Sequence, residues 1–72
     1  MWYVDLWTKK DGRVSDGERF SNGATAGRFV VAIHKRFADI IIRVMPPTVA
    51  SLDELGAFDA ELREHGLGVQ PI

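Results

Sequence analysis

Residues 38–47 read ADIIIRVMPP, and no other stretch so narrows what this chain can become. Ile40, Ile41 and Ile42, followed by Arg43, Val44 and Met45, make a short, β-branched, strongly apolar run. Pro46-Pro47 stops it, because proline fixes the backbone and removes a donor. Such a run is expected to be the central strand of a small sheet, buried on at least one face. Alternation puts Ile40, Ile42 and Val44 on one side and Ile41, Arg43 and Met45 on the other. Arg43 is the only charge within the run, so its side is expected to face outward.

The chain has 72 residues, enough for a single domain over residues 1–72. A domain of this size buries only about 60% of the surface its unfolded chain exposes, so its stability margin is thin. It has no cysteine, which excludes disulfides and thiolate metal sites. Idealised packing or a partner must supply the stability instead. A hydrophobic fraction of 46% is too high for a disordered chain. No apolar run is long enough to span a membrane, and the first residues lack the pattern of a secretory signal. The expected location is cytoplasmic.

Net charge is −1, which provides no general attraction to nucleic acid or anionic lipid. The charges are unevenly placed, however. Residues 1–43 hold eight Lys/Arg against five Asp/Glu, and residues 44–72 hold Arg63 against five acidic residues.

Residues 2–9 alternate as a strand, with Trp2, Val4, Leu6 and Thr8 on one face and Tyr3, Asp5, Trp7 and Lys9 on the other. Asp11-Gly12 predicts a two-residue hairpin turn into a second strand over residues 14–20. That register places Val14 and Phe20 with Tyr3 and Trp7, whereas a bulge at Gly17 sends Phe20 to the opposite face. Ser21 and Asn22 are alternative helix caps. Ala26, Phe29, Val30, Ile33 and Phe37 then form one helical stripe over residues 24–37. The same residues are β-branched enough for a strand, but the turn this would require, residues 35–39, has no Gly, Pro or Asn. A second helix begins at a Ser51/Glu54 capping box, carries the stripe Leu52, Leu55, Phe58 and Leu62, and ends at Gly66. The tail, residues 68–72, is expected to be a short edge strand or a frayed end.

The expected fold class is α+β: a small two-layer sandwich of order ββαβα, with a three-stranded mixed sheet and two helices on one face. The tail would supply a short fourth edge strand. The first strand and the run at residues 40–45 are expected to be parallel neighbours joined by a right-handed crossover.

Chemistry-bearing patterns are sparse. His34 and His65 have no ligand-spaced partner, so no catalytic residue, metal site or cofactor is expected. Residues 22–27 open a helix with two glycines, but they lack the ending of a phosphate-binding loop. Their ordinary role is a flexible helix entry.

Three binding surfaces remain. The first is the outer sheet face, Tyr3, Asp5, Trp7, Ile41, Arg43 and Met45, rich in residue types that interfaces favour. There Arg43 is expected to pair with Asp5 or lie over Trp7. The second is an acidic helix surface, Asp53, Glu54, Asp59, Glu61 and Glu64, suited to a basic protein. The third is a basic hairpin tip, Lys9, Lys10 and Arg13 with Arg19, where Tyr3 and Trp7 would stack bases of a nucleic acid. Acidic residues interleave these cations, and a pI near 6.0 is unlike that of a nucleic-acid binder. The leading expectation is a small protein-interaction module, a homodimer or an inhibitor or adaptor of the kind phages and mobile elements encode. The alternative is a nucleic-acid-binding domain.

Overall fold

The computed structural model describes residues 1–14, 17–37 and 39–67. Its elements run β1 (Trp2–Thr8), β2 (Gly12–Arg13), β3 (Glu18–Phe20), α1 (Gly23–Arg36), β4 (Ile41–Met45) and α2 (Leu52–Glu64). Segments β2 and β3 pair antiparallel with one side of β1, and β4 pairs antiparallel with the other. This is the expected α+β two-layer fold, three ribbons of strand under two helices.

Two features of the expected sheet are overturned. The central strand is β1, and among the described residues the isoleucine run forms an edge strand, β4. The sheet is also antiparallel throughout, not mixed. The reason lies in the connection. A single helical crossover returns the chain in the direction of the strand it left, and that strand is β3, which already runs against β1. β4 therefore lies parallel to β3 across the sheet and antiparallel to β1 between them. Along β1 both faces are filled, as aromatics on both faces of residues 2–9 foreshadow.

The hairpin departs from its expected turn as well. Thr8 pairs with Gly12, so the turn spans residues 9–11, with Gly12 at φ 73° just beyond it. The Thr8 hydroxyl accepts the Asp11 N–H at 2.9 Å. From Val4 to Trp7 β1 advances three residues, while its partner advances five, from Arg13 to Glu18. The offset of two marks a bulge but leaves every residue on its face. It is the three-residue turn, one longer than expected, that puts Phe20 on the core face, opposite Trp2. Gly17 sits in the bulge at φ 93° with the Tyr3 ring lying where a Cβ would project. Both the conformation and the space demand glycine. Ser15 and Asp16 of the predicted second strand, and the tail at residues 68–72, lie outside the described residues.

Asn22 rather than Ser21 caps α1, accepting the Thr25 N–H at 2.9 Å. Residues 23–36 are helix, not strand. Ala26 and Val30 join Trp2, Val4 and Leu6 in the core, with Phe20, Phe29, Ile33, Ile42, Val44, Phe58 and Leu62 packed around them. Burying a side chain such as Val4 contributes about 1.5 to 3 kcal/mol. The helices run parallel. Gly23 lies against the Glu54 carbonyl, and Gly27 against Phe58 and Glu61. The glycine-containing entry is thus a close-packing surface rather than a flexible lead-in.

The α2 capping box forms by half. Ser51 Oγ accepts the Glu54 N–H at 3.1 Å, but the Glu54 carboxylate takes the Gly23 N–H of α1 at 2.5 Å. At its other end Leu67 N–H reaches Leu62 O and Gly66 N–H reaches Arg63 O, a Schellman closure with Gly66 at φ 75°. No helix among the described residues is long and apolar enough to cross a membrane.

Candidate interaction surface

Register assembles the outer sheet face by direct cross-strand pairing. Tyr3 lies opposite Met45, Asp5 opposite Arg43, and Trp7 opposite Ile41. All six residues expected on that face are brought together, three from the centre strand and three from the edge strand.

At its middle is an ion pair sunk into the sheet. Asp5 is 1% exposed, and it is the only buried charged residue among those described. Arg43 forks onto it, Nε to Oδ1 at 3.2 Å and Nη2 to Oδ2 at 2.8 Å. Trp7 Nε1 donates to Oδ1 at 2.8 Å. The Arg43 guanidinium also lies 5.3 Å from the centre of the Trp7 ring. Both expected contacts of Arg43 therefore occur at once. A charge this deep needs a partner with good geometry, and the planar fork supplies it.

The Asp5 hydrogen bond, then the Asp5 charge, hold the Arg43 guanidinium above its already high ordinary value. A group raised on folding lends stability at every pH below its ordinary value and loses it only as pH climbs through the raised one. For arginine that window lies in strong alkali, so the cation stays in place across the working range.

The pair is not sealed. The Arg43 side chain is 54% exposed while Asp5 is covered. Ile41 is 48% exposed, and Tyr3, Trp7 and Met45 are half-buried. Trp7, Ile41, Ile42 and Arg43 line a shallow groove at the β4 edge. The face thus presents an aromatic and an arginine already fixed in position, flanked by apolar side chains.

The acidic helix does not form one such surface. Glu54 is committed to Gly23, Glu61 to Arg28 at 3.3 Å, and Asp59 to Arg63 at 2.6 Å on another side of α2. Asp53 and Glu64 are exposed. The Glu54 contact also answers the anion site considered at the α1 entry, since the chain's own carboxylate occupies it.

The basic set is divided too. Lys9 and Lys10 are exposed in the turn, with Arg13 in β2 opposite Trp7. Arg19 is opposite Tyr3, so about 13 Å of strand separates it from them. The topology instead brings the hairpin turn to the same end of the fold as His34, Lys35 and Arg36 in the last turn of α1. The two lysines share a groove with Thr8, Asp39 and Ile40.

His34 is exposed and His65 caps the end of α2. Among the described residues no group of three or more His, Asp or Glu is placed to hold a metal ion. The residues whose packing role sequence reasoning missed are Gly23 and Gly27, each defined by what lies against it in space. Comparison with protein-family models, curated proteins and solved structures found no match.

Proposed function

We propose that this chain is a small protein-interaction module that docks a protein through the outer face of its sheet, as an inhibitor or adaptor. One observation carries this reading. Trp7 and Arg43 are locked together over a buried Asp5, with exposed Ile41 beside them. Tryptophan and arginine dominate binding energy in interfaces, and holding them rigid beforehand removes part of the entropy cost of association. The centre of the face is charge-compensated within the chain, so a partner meets apolar and aromatic surface rather than a bare charge.

The immobilised chain is expected to retain its partner from an extract of its source, and Trp7→Ala is expected to lose it. Leu52→Lys, on the exposed side of α2, should retain it. Equal retention by wild type and Trp7→Ala would sink the assignment of this face.

A second reading rests on the cations gathered at one end. Lys9, Lys10, Lys35 and Arg36 favour a polyanion such as nucleic acid at the hairpin end. Against it, Arg43 already lies over the Trp7 ring and Asp5 holds its indole N–H, so Trp7 is a poor stacking platform. This reading requires retention on DNA or RNA that weakens with salt and disappears when Lys9, Lys10 and Arg13 are neutralised.

A further inference from the structure

The two edges of the sheet are built differently. On the β2/β3 side the ladder breaks after Val14, and Gly17 in the bulge has a left-handed backbone at φ 93°. Bulges of this kind blunt an edge against pairing with another chain. β4 has no such device. Its five residues match β1 one for one, with no proline, lysine or bulge among them, and β1 is its only strand partner among the described residues.

The direction of its free groups follows from the ladder. Val14 N–H donates to Leu6 O at 2.9 Å, so the Leu6 backbone points toward β2. By alternation Tyr3, Asp5 and Trp7 point toward β4 and form the hydrogen-bonded pairs with Met45, Arg43 and Ile41. The N–H and C=O groups of Ile42 and Val44 therefore point off the edge. Pro46, next in that alternation, has no N–H and ends the series.

We propose that a second copy of this chain pairs its β4 antiparallel with this one, about a two-fold axis through Ile42, giving one continuous sheet. This deepens the interaction reading above by naming one occupant of the β4 side of that surface. Each copy presents the same outward groups, which no strand among the described residues takes up, so self-pairing satisfies both edges together.

The register is decided by charge and by proline. With the axis at Ile42, the hydrogen-bonded pairs are Ile42 with Ile42 of the second copy, and Ile40 with Val44 of the second copy, twice over. Ile41 then meets Arg43 of the second copy, whose aliphatic stem covers its exposed side. With the axis at Arg43, two guanidinium-bearing residues stand directly opposite, which is unfavourable, and Ile40 faces the donorless Pro46. With the axis at Ile41, Val44 falls opposite residue 38, three positions before β4 begins, whereas the Ile42 register reaches only Ile40, one position before it.

The absence of cysteine makes the test clean. Chains carrying Ile40→Cys, Ile42→Cys or Val44→Cys are mixed in pairs under a thiol-disulfide buffer, with Lys10→Cys as a control in the hairpin turn. Opposed residues in a hydrogen-bonded pair lie about 5.5 Å apart, within disulfide reach. Ile42–Ile42 and Ile40–Val44 disulfides are expected, forming several-fold faster than those of Lys10→Cys. A dominant Ile42–Val44 or Ile40–Ile42 disulfide would overturn the register, and rates equal to the control would overturn the pairing.

Amide exchange on the unsubstituted chain removes any doubt about folding of the variants. Ile42 and Val44 should become protected as concentration rises, while Ile41, Arg43 and Met45 are protected throughout. Exchange independent of concentration would overturn the pairing. A chain that stays monomeric yet captures another protein through Trp7 defeats this inference and leaves the interaction reading standing.

Discussion

The two helices make an instructive contrast. α2 has the cleaner sequence, with a capping serine, acidic residues in its first turn, an apolar stripe and a glycine terminator, yet it has no fully buried residue. α1 begins with Gly-Ala-Thr-Ala-Gly, poor helix material, and buries Gly23, Ala26, Gly27, Val30 and Val31. Signals at helix ends report where a helix starts and stops. They do not report which face it buries. α2 is turned so that Glu54, Phe58 and Glu61 meet the two glycines of α1, and Phe58 stacks on Trp2 with ring centres 4.9 Å apart. That rotation leaves Leu52 86% exposed, although Leu52 belongs to the apolar stripe expected to face the core.

The largest effect should come from breaking α2 at its true contact. Phe58→Ala is expected to cost about 3 kcal/mol, at the low end for such truncations because the ring is half-buried. Leu52→Ala, from the same stripe, should fall within about 0.5 kcal/mol of wild type. Urea unfolding of both variants decides the matter, and equal losses would restore the stripe as the buried face.

The glycines sharpen the contrast with one substitution of opposite sign. At Gly27 a Cβ would stand 2.8 Å from Glu61 Cβ and 3.1 Å from Phe58 O, so Gly27→Ala should destabilise by about 1–3 kcal/mol through overpacking. At Gly56 nothing lies within 4 Å, so Gly56→Ala should stabilise by up to about 1 kcal/mol. Thermal melts of the pair would refute close packing if both moved upward.

The smallest effect tests the carboxylate between the helices. Glu54→Gln keeps a side-chain oxygen for Gly23 N–H but removes the charge at the α1 N-terminus, and should cost about 1 kcal/mol. The loss should shrink as salt is raised. An unchanged melting temperature would show that Glu54 serves only its own helix.

Much of the fold was legible from local pattern. Alternation in residues 2–9 marked β1, the isoleucine run marked β4, and periodicity marked both helices. The outer face was legible as well, because strand alternation sorts Tyr3, Asp5 and Trp7 from Trp2, Val4 and Leu6 without knowledge of the neighbours. The misplaced centre of the sheet came from ranking strands by hydrophobicity. β4 is the greasier strand, but β1 has partners on both sides, and its aromatics on both faces were the better signal.

By itself, the sequence of this protein determined β1, β4 and α2 and which of their side chains share a face, because these follow from backbone periods of 2 and 3.6 residues. It left residues 24–37 open between helix and strand, and the hairpin register open. Tertiary structure alone decided that β1 is central, that β4 runs against it, that Gly23 and Gly27 meet α2, and that Asp5 is buried under Arg43. Those outcomes depend on residues far apart in the chain. Asp5 and Arg43 lie 38 positions apart, and Gly23 and Glu54 lie 31 apart. Their energies arise from contact and desolvation, which no local period encodes.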